Sequence, residues 1–173
     1  MADFKTCFDF MIQNEDPTLA CEIVPDIPPG AHAISGINSA AYPADYAAIA
    51  ALPQDQRLPA VTAFYQNNFW NKWIQVLTSN EVAMRVLDAA VNMGPGTAVK
   101  LLQTAVNAIY CPPQCIQVDG GWGPVTITAA NGCEETELVE AFKNAREQHY
   151  RDIVAAKPED APYLPKWLAR AGK

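Results

Sequence analysis

Apolar side chains recur at helical spacing from the start of the chain. Phe4, Cys7, Phe8, Met11 and Ile12 define one face of a helix over residues 3–15, which Pro17 ends. Residues 17–42 lose this period. Pro17, Pro25, Pro28, Pro29, Gly30 and Gly36 fall among small and polar side chains, so the stretch reads as an irregular loop with short strands. The helical period returns at Pro43, suited to a first helical turn, and runs to Leu52. A further helix from Pro53 carries Leu58, Val61, Phe64, Tyr65 and Phe69.

Thr78 with Glu81 has the spacing of a capping box and opens a helix through Val82, Val86, Leu87 and Val91. Gly94-Pro95 ends that helix, and another begins near Thr97 with Val99, Leu102, Val106 and Ile109 on its apolar face. Residues 111–123 are turn-rich, and residues 124–130 form a short helix. Glu134, Glu135 and Glu137 sit at the start of a long helix to Ala156, where acids suit the positive end of the dipole. The last element spans residues 161–171. The pattern sums to about eight helices with little strand signal and no internal repeat, an all-α class with one excursion after the first helix.

Composition narrows the function classes. The chain has 173 residues, 50% of them hydrophobic and 18% charged, enough for one domain with a real core. A net charge of −7 gives no electrostatic basis for a broad nucleic-acid face. No apolar run approaches the roughly 18 residues of a membrane span, and the N-terminus lacks the order of a secretory signal. The reading is synthesis in the cytoplasm without a signal peptide, with a segment already removed as the alternative.

Five cysteines, an odd number, leave at least one unpaired. Cys111 and Cys115 invite a small-loop disulfide, and Cys7 and Cys21 flank the proline-rich loop and invite a tether across it. Two histidines and no C-x-x-C pair give little support for a closed zinc site. Phosphate-loop, dinucleotide, zinc-protease and nucleophile-elbow motifs are absent.

The remaining candidates for chemistry are the carboxylates around the end of the first helix: Glu15, Asp16, Glu22 and Asp26. Glu15 stands at a helix C-terminus, where the negative end of the dipole and partial burial favour the protonated form that a general acid needs. A solvated helix-end carboxylate is the plainer alternative.

Several ordered stretches resemble glycoside hydrolase family 108, the phage-endolysin type of N-acetylmuramidase, with its peptidoglycan-binding-like C-terminal segment. The helix ending in Glu15, followed by Asp26-Ile-Pro-Pro-Gly30 and Gly36-Ile37, is similar to that family's acid and its Asp-Pro-Gly-Gly and Gly-Ile loop. Phe69-Trp70, Leu87-Asp88, Asn92-Met-Gly94, Leu102-Gln103, Asp119-Gly120-Gly-Trp-Gly123-Pro124, Arg146 with Tyr150, and Trp167-Leu168-Ala-Arg170 follow in the family's order. Five positions at three places depart from the pattern. Asp16-Pro17 replaces the two glycines after the acid, Pro29 stands where a glycine is expected, and His32-Ala33 replaces Ala-Thr.

The resemblance implies a single lysozyme-like domain, with residues 1–92 as its catalytic part and residues 93–173 as a peptidoglycan-binding-like helical part. It implies cleavage of the β-1,4 bond between N-acetylmuramic acid and N-acetylglucosamine in peptidoglycan strands, without cofactor or metal. Glu15 is the acid. Asp26 is the first choice for the second catalytic group and Glu22 the second, with an Asx-type turn as the alternative role for Asp26. His32, Tyr42, Glu22 and Asn92 are candidates for substrate binding. Asp88, one turn before Asn92, is read as structural, and Trp70, Trp73 and Trp122 as core residues or sugar-stacking faces.

Without an export signal, action in the periplasm or cell wall implies delivery by a phage holin or an interbacterial secretion system. The acidic charge fits such local release. An injected toxin implies a cognate immunity protein occluding the Glu15 cleft. Two alternatives keep the same fold: a non-catalytic peptidoglycan-binding protein, and a lytic transglycosylase using the same acid.

Overall fold

Helix α1, Phe4–Glu15, begins where the Asp3 carboxylate accepts the Thr6 N–H at 2.9 Å, and it buries Cys7, Phe8, Met11 and Ile12 as its spacing predicts. The computed structural model describes residues 1–71, 73–111 and 113–173. The chain leaves α1 at Asp16, which has its own structural role. Its largely buried carboxylate accepts hydrogen bonds from Cys21 N at 2.8 Å, Ala20 N at 3.2 Å, Thr18 Oγ1 at 3.0 Å and Ser35 Oγ at 2.7 Å. Burial alone would push its pKa up, but these donors hold it below the usual carboxylate value. The residue that departs from the family's glycine thus pins the following loop back onto the helix end.

That loop forms a three-stranded antiparallel sheet in the order β1 (Ile23–Asp26), β2 (Ala31–Ile34) and β3 (Ile37–Asn38). Asp26 pairs with Ala31, and Ile34 with both Ile23 and Ile37. The short-strand reading of this segment holds. Helix α2, Pro43–Ala50, has Pro43 in its first turn, and α3, Arg57–Tyr65, continues as a wider turn over Gln66–Trp70.

Helix α4, Asn80–Met93, runs through the core with every residue from Val82 to Ala90 buried. Its cap differs from the sequence expectation. Ser79, not Thr78, accepts the Val82 N–H at 3.1 Å, while Thr78 bonds Asn131 and Glu81 pairs with Arg85. Serine one residue later wins because it is the residue with extended backbone directly before the first turn.

Helices α5 (Pro95–Tyr110), α6 (Pro124–Gly132), α7 (Glu135–Ala156) and α8 (Leu164–Ala171) complete the chain. Glu134 caps α7 by accepting the Thr136 and Glu137 N–H groups, which puts the acidic cluster where the dipole favours it. Helix α4 packs on α1, α5 and α7, and α7 carries α8. One apolar cluster runs from Cys7 in α1 to Phe142 in α7 and includes Trp70 and Trp73, so both halves of the chain share a core. The result is a mostly helical, lysozyme-like domain with a short-strand excursion after its first helix.

Cys111 and Cys115 form a disulfide, while Cys7 and Cys21 are buried free thiols. The tether considered between them is not formed: the Cys7 thiol faces the Asn80 carbonyl and Cys21 faces Ser35. Pro112, inside the disulfide turn, lies outside the described residues.

Candidate active site

A fully buried aspartate in helix α4 requires a cationic partner, because an unpaired buried charge is costly. Asp88 has two. Arg146 of α7 reaches Asp88 Oδ2 at 2.7 Å, and Arg170 of α8 reaches Oδ1 at 2.8 Å through Nη2. Arg170 Nε adds contacts of 3.2 and 3.1 Å to the two oxygens, and Asn14 Nδ2 donates to Oδ1 at 2.9 Å. Burial pushes the Asp88 carboxyl up, yet the hydrogen bonds and charges of Arg170 and Arg146 outweigh it and hold the pKa below the usual value. Burial works against the Arg170 charge as well, but Asp88 first and Glu15 second raise its pKa above the ordinary arginine value.

Glu15 closes this network toward solvent. Its Oε1 accepts Arg170 Nη2 at 2.5 Å, and its side chain is 17% exposed. The guanidinium opposes the helix-end dipole, an influence on Glu15 that residues 3–15 alone do not reveal. On its other side, Glu15 meets the β2–β3 turn at Gly36. A Cβ at Gly36 would lie 2.8 Å from Glu15 Oε2 and 2.8 Å from the Tyr65 hydroxyl, and its φ of +84° already favours glycine. Tyr65 is fully buried, donates to the Ser35 carbonyl at 2.7 Å, and is held protonated chiefly by burial and next by the Glu15 charge. Glu15 therefore lies between a guanidinium and a turn that accommodates it because residue 36 is glycine.

The carboxyl opens into a cleft of about 680 Å³. Asp26 lines the same cleft from β1, with Oδ2 accepting Asn38 Nδ2 at 2.7 Å and Oδ1 accepting the Ile27 N–H at 2.9 Å. Asn92 lines it from α4 and accepts the Tyr150 hydroxyl at 2.6 Å. The opposite wall is α8 and the turn before it. Tyr163 stacks on Trp167 at 5.9 Å, and Trp167 stacks on Tyr150 at 5.4 Å, with Lys166 beside them.

Of the residues singled out in the sequence, Glu15, Asp26 and Asn92 meet in this cleft, and three others lie elsewhere. His32 alternates with Ala31 and Ala33 on β2, so its side chain is exposed on the face opposite the cleft-lining Ala33. Tyr42 packs its ring edge-on against Phe64 at 4.9 Å and also meets Phe69, which makes it part of the core edge. Glu22 is exposed ahead of β1, outside the wall formed by Val24, Pro25 and Asp26.

Arg170, Tyr163 and Trp167 were not foreseen as site residues. The available signal was Asp88 itself, a buried carboxylate whose partner had to come from another helix. Among the described residues, no group of three or more His, Cys, Asp or Glu is placed to hold a metal ion, and no helix is long and apolar enough to cross a membrane.

Comparison with known proteins adds two partial family matches. Residues 26–94 match the model of glycosyl hydrolase 108, and residues 97–172 match that of a predicted peptidoglycan domain. The chain resembles glycosyl hydrolase 108. This likeness supports a glycoside hydrolase. In the glycosyl hydrolase 108 segment fall Asp26, Gly36, Asp88 and Asn92, while Arg146, Trp167 and Arg170 fall in the peptidoglycan-domain segment. Glu15 precedes both. The fold is also that of SagA from Brucella abortus, with a TM-score of 0.64 at 22% identity over 97% of this chain and 92% of that one. No curated protein matches significantly in sequence.

Proposed function

We propose that this protein hydrolyses the β-1,4 bond between N-acetylmuramic acid and N-acetylglucosamine in peptidoglycan. The observation that carries the reading is the single cleft lined by both Glu15, held by Arg170 through Oε1, and Asp26. Glu15 gives its proton to the glycosidic oxygen as the bond breaks, and Asp26 stabilises the developing positive charge at the anomeric carbon or activates the group that attacks it. The glycosyl hydrolase 108 likeness supports the reaction class, and the predicted peptidoglycan domain supports the polymer. A net charge of −7 favours release beside the wall, as for a phage lysin or an injected toxin. A protecting partner would have to fill this cleft.

The test is the release of soluble sugar ends from purified sacculi. New reducing N-acetylmuramic acid ends are expected. Anhydro ends would assign a lytic transglycosylase, and sedimentation with sacculi without release would assign a binding protein.

Two variants probe the cleft. Gly36→Ala places a methyl group against Glu15 and Tyr65 in a strained backbone, so a loss of about 1–3 kcal/mol in stability is expected. Displacing Glu15 by about 1 Å would add a drop of about a hundredfold in turnover. Thermal melts and release rates measure both, and wild-type values would mean that the acid is not held at this turn. Tyr163, 57% exposed at the end of the aromatic stack, offers a face for a pyranose ring. Tyr163→Ala is expected to raise KM by about three- to tenfold with kcat little changed, on the scale of one aromatic contact. An unchanged KM would remove the ring from the substrate path.

A further inference from the structure

The guanidinium on Glu15 comes from a residue 155 positions away in sequence, in the segment matched as a predicted peptidoglycan domain. Arg170 is shared. It makes one contact with Glu15 Oε1, at 2.5 Å, and three with the fully buried Asp88, at 2.8–3.2 Å. Arg146 neutralises Asp88 from behind at 2.7 Å. An arginine facing Glu15 alone would favour the carboxylate, a form with no proton to give. Asp88 takes up part of that charge.

We propose that Arg170 and Asp88 are positioning residues for Glu15. Arg170 anchors Oε1 so that the transferable proton rides on Oε2, and Asp88 holds the Arg170 guanidinium in place and shares its charge. The inference rests on Glu15 acting as the general acid. On this reading the C-terminal segment is part of the active site and not a detachable wall-binding unit.

The charged and titratable groups around Glu15 are Arg170 from α8, Asp88 from α4 with Arg146 from α7 behind it, Tyr65 from α3, and Asp26 from β1, which lines the same cleft. Lys166 and Lys173 line the same cleft, with Lys173 Nζ donating to Asn14 Oδ1 at 2.5 Å. Among these described groups, Arg170 is the one that hydrogen-bonds the Glu15 carboxyl.

The test is the pH profile of fragment release from sacculi at low substrate, run on the full chain as wild type, Arg170→Met, Arg170→Lys and Asp88→Asn. The alkaline limb reports loss of the acid's proton. Removing the positive charge in Arg170→Met is expected to move that limb up by about one pH unit or more, the effect of a close opposite charge. Asp88→Asn leaves Arg170 to Glu15 and is expected to move the limb down. Arg170→Lys keeps the charge and is expected to bring the limb back toward wild type at a reduced rate.

An unmoved limb in Arg170→Met, or shifts in the same direction for Arg170→Met and Asp88→Asn, would overturn the inference, because a purely structural role lowers rates without moving the limb. Should Asp88→Asn fail to fold by circular dichroism, the Arg170→Met and Arg170→Lys pair decides alone. A Glu15→Gln control separates the two levels. If that variant is active, the general-acid reading itself fails. If it is inactive while the limbs stay fixed, only the positioning roles fail.

Discussion

Glu15→Gln is expected to fold as the wild type does and to release fragments from sacculi about two to four orders of magnitude more slowly, the usual worth of a general acid. Glutamine keeps the shape of the side chain between Arg170 and Gly36, and its amide oxygen can still accept from Arg170. It has no proton to give as the glycosidic bond breaks. The fold should tolerate the change because Arg170 stays bound to Asp88 and Glu15 sits at the rim of the cleft, so the loss of one charge-assisted bond costs about 1–3 kcal/mol at most. Release rate and a far-ultraviolet circular dichroism melt, taken together, check both halves. An undiminished rate in a folded variant would move the acid elsewhere.

Asp88→Ala is expected to have the largest effect on stability, about 3–5 kcal/mol, because it leaves the 2%-exposed Arg146 without its carboxylate in the core. Arg170 loses most of its partners in the same step. Denaturant unfolding at neutral pH measures this, and a loss below about 1 kcal/mol would mean that water replaces the carboxylate. The pH dependence follows from the same pairing. The folded-state pKa of Asp88 lies below its unfolded value, so its contribution is fully present above the ordinary carboxylate range and is lost as pH falls through the folded value. Asp16 carries the same sign through its four hydrogen bonds. Wild-type stability should therefore fall on acidification below about pH 4, and Asp88→Ala should show a shallower acid dependence.

The helices were legible because their apolar periods are long and their ends carry proline, glycine or acids: the faces of α1, α4 and α5 follow from spacing alone. The strands after α1 were legible only as a break in that period. Glu15 and Asp26 could be named from their place around this break, and both face the cleft. His32 and Tyr42 could not be placed, because which side of a two- to four-residue strand faces a cleft depends on register, and a tyrosine before a helix serves core and surface equally well. Asp16 stood out as a departure from the glycine pattern, whereas it is the acceptor that organises the loop, a role visible only when Ser35 and Cys21 come near. Arg170 was hidden for a related reason. A buried aspartate announces that a cation must approach, but long-range packing decides which one, and here α7 and α8 each supply an arginine.

The most direct measurement is mass spectrometry of the soluble fragments from purified sacculi incubated in parallel with wild-type protein and Glu15→Gln. Fragments ending in reducing N-acetylmuramic acid, abundant with the wild type and lost with the variant, are the predicted result. Equal amounts of such fragments from both proteins, or none from the wild type, would contradict a muramidase that works through Glu15.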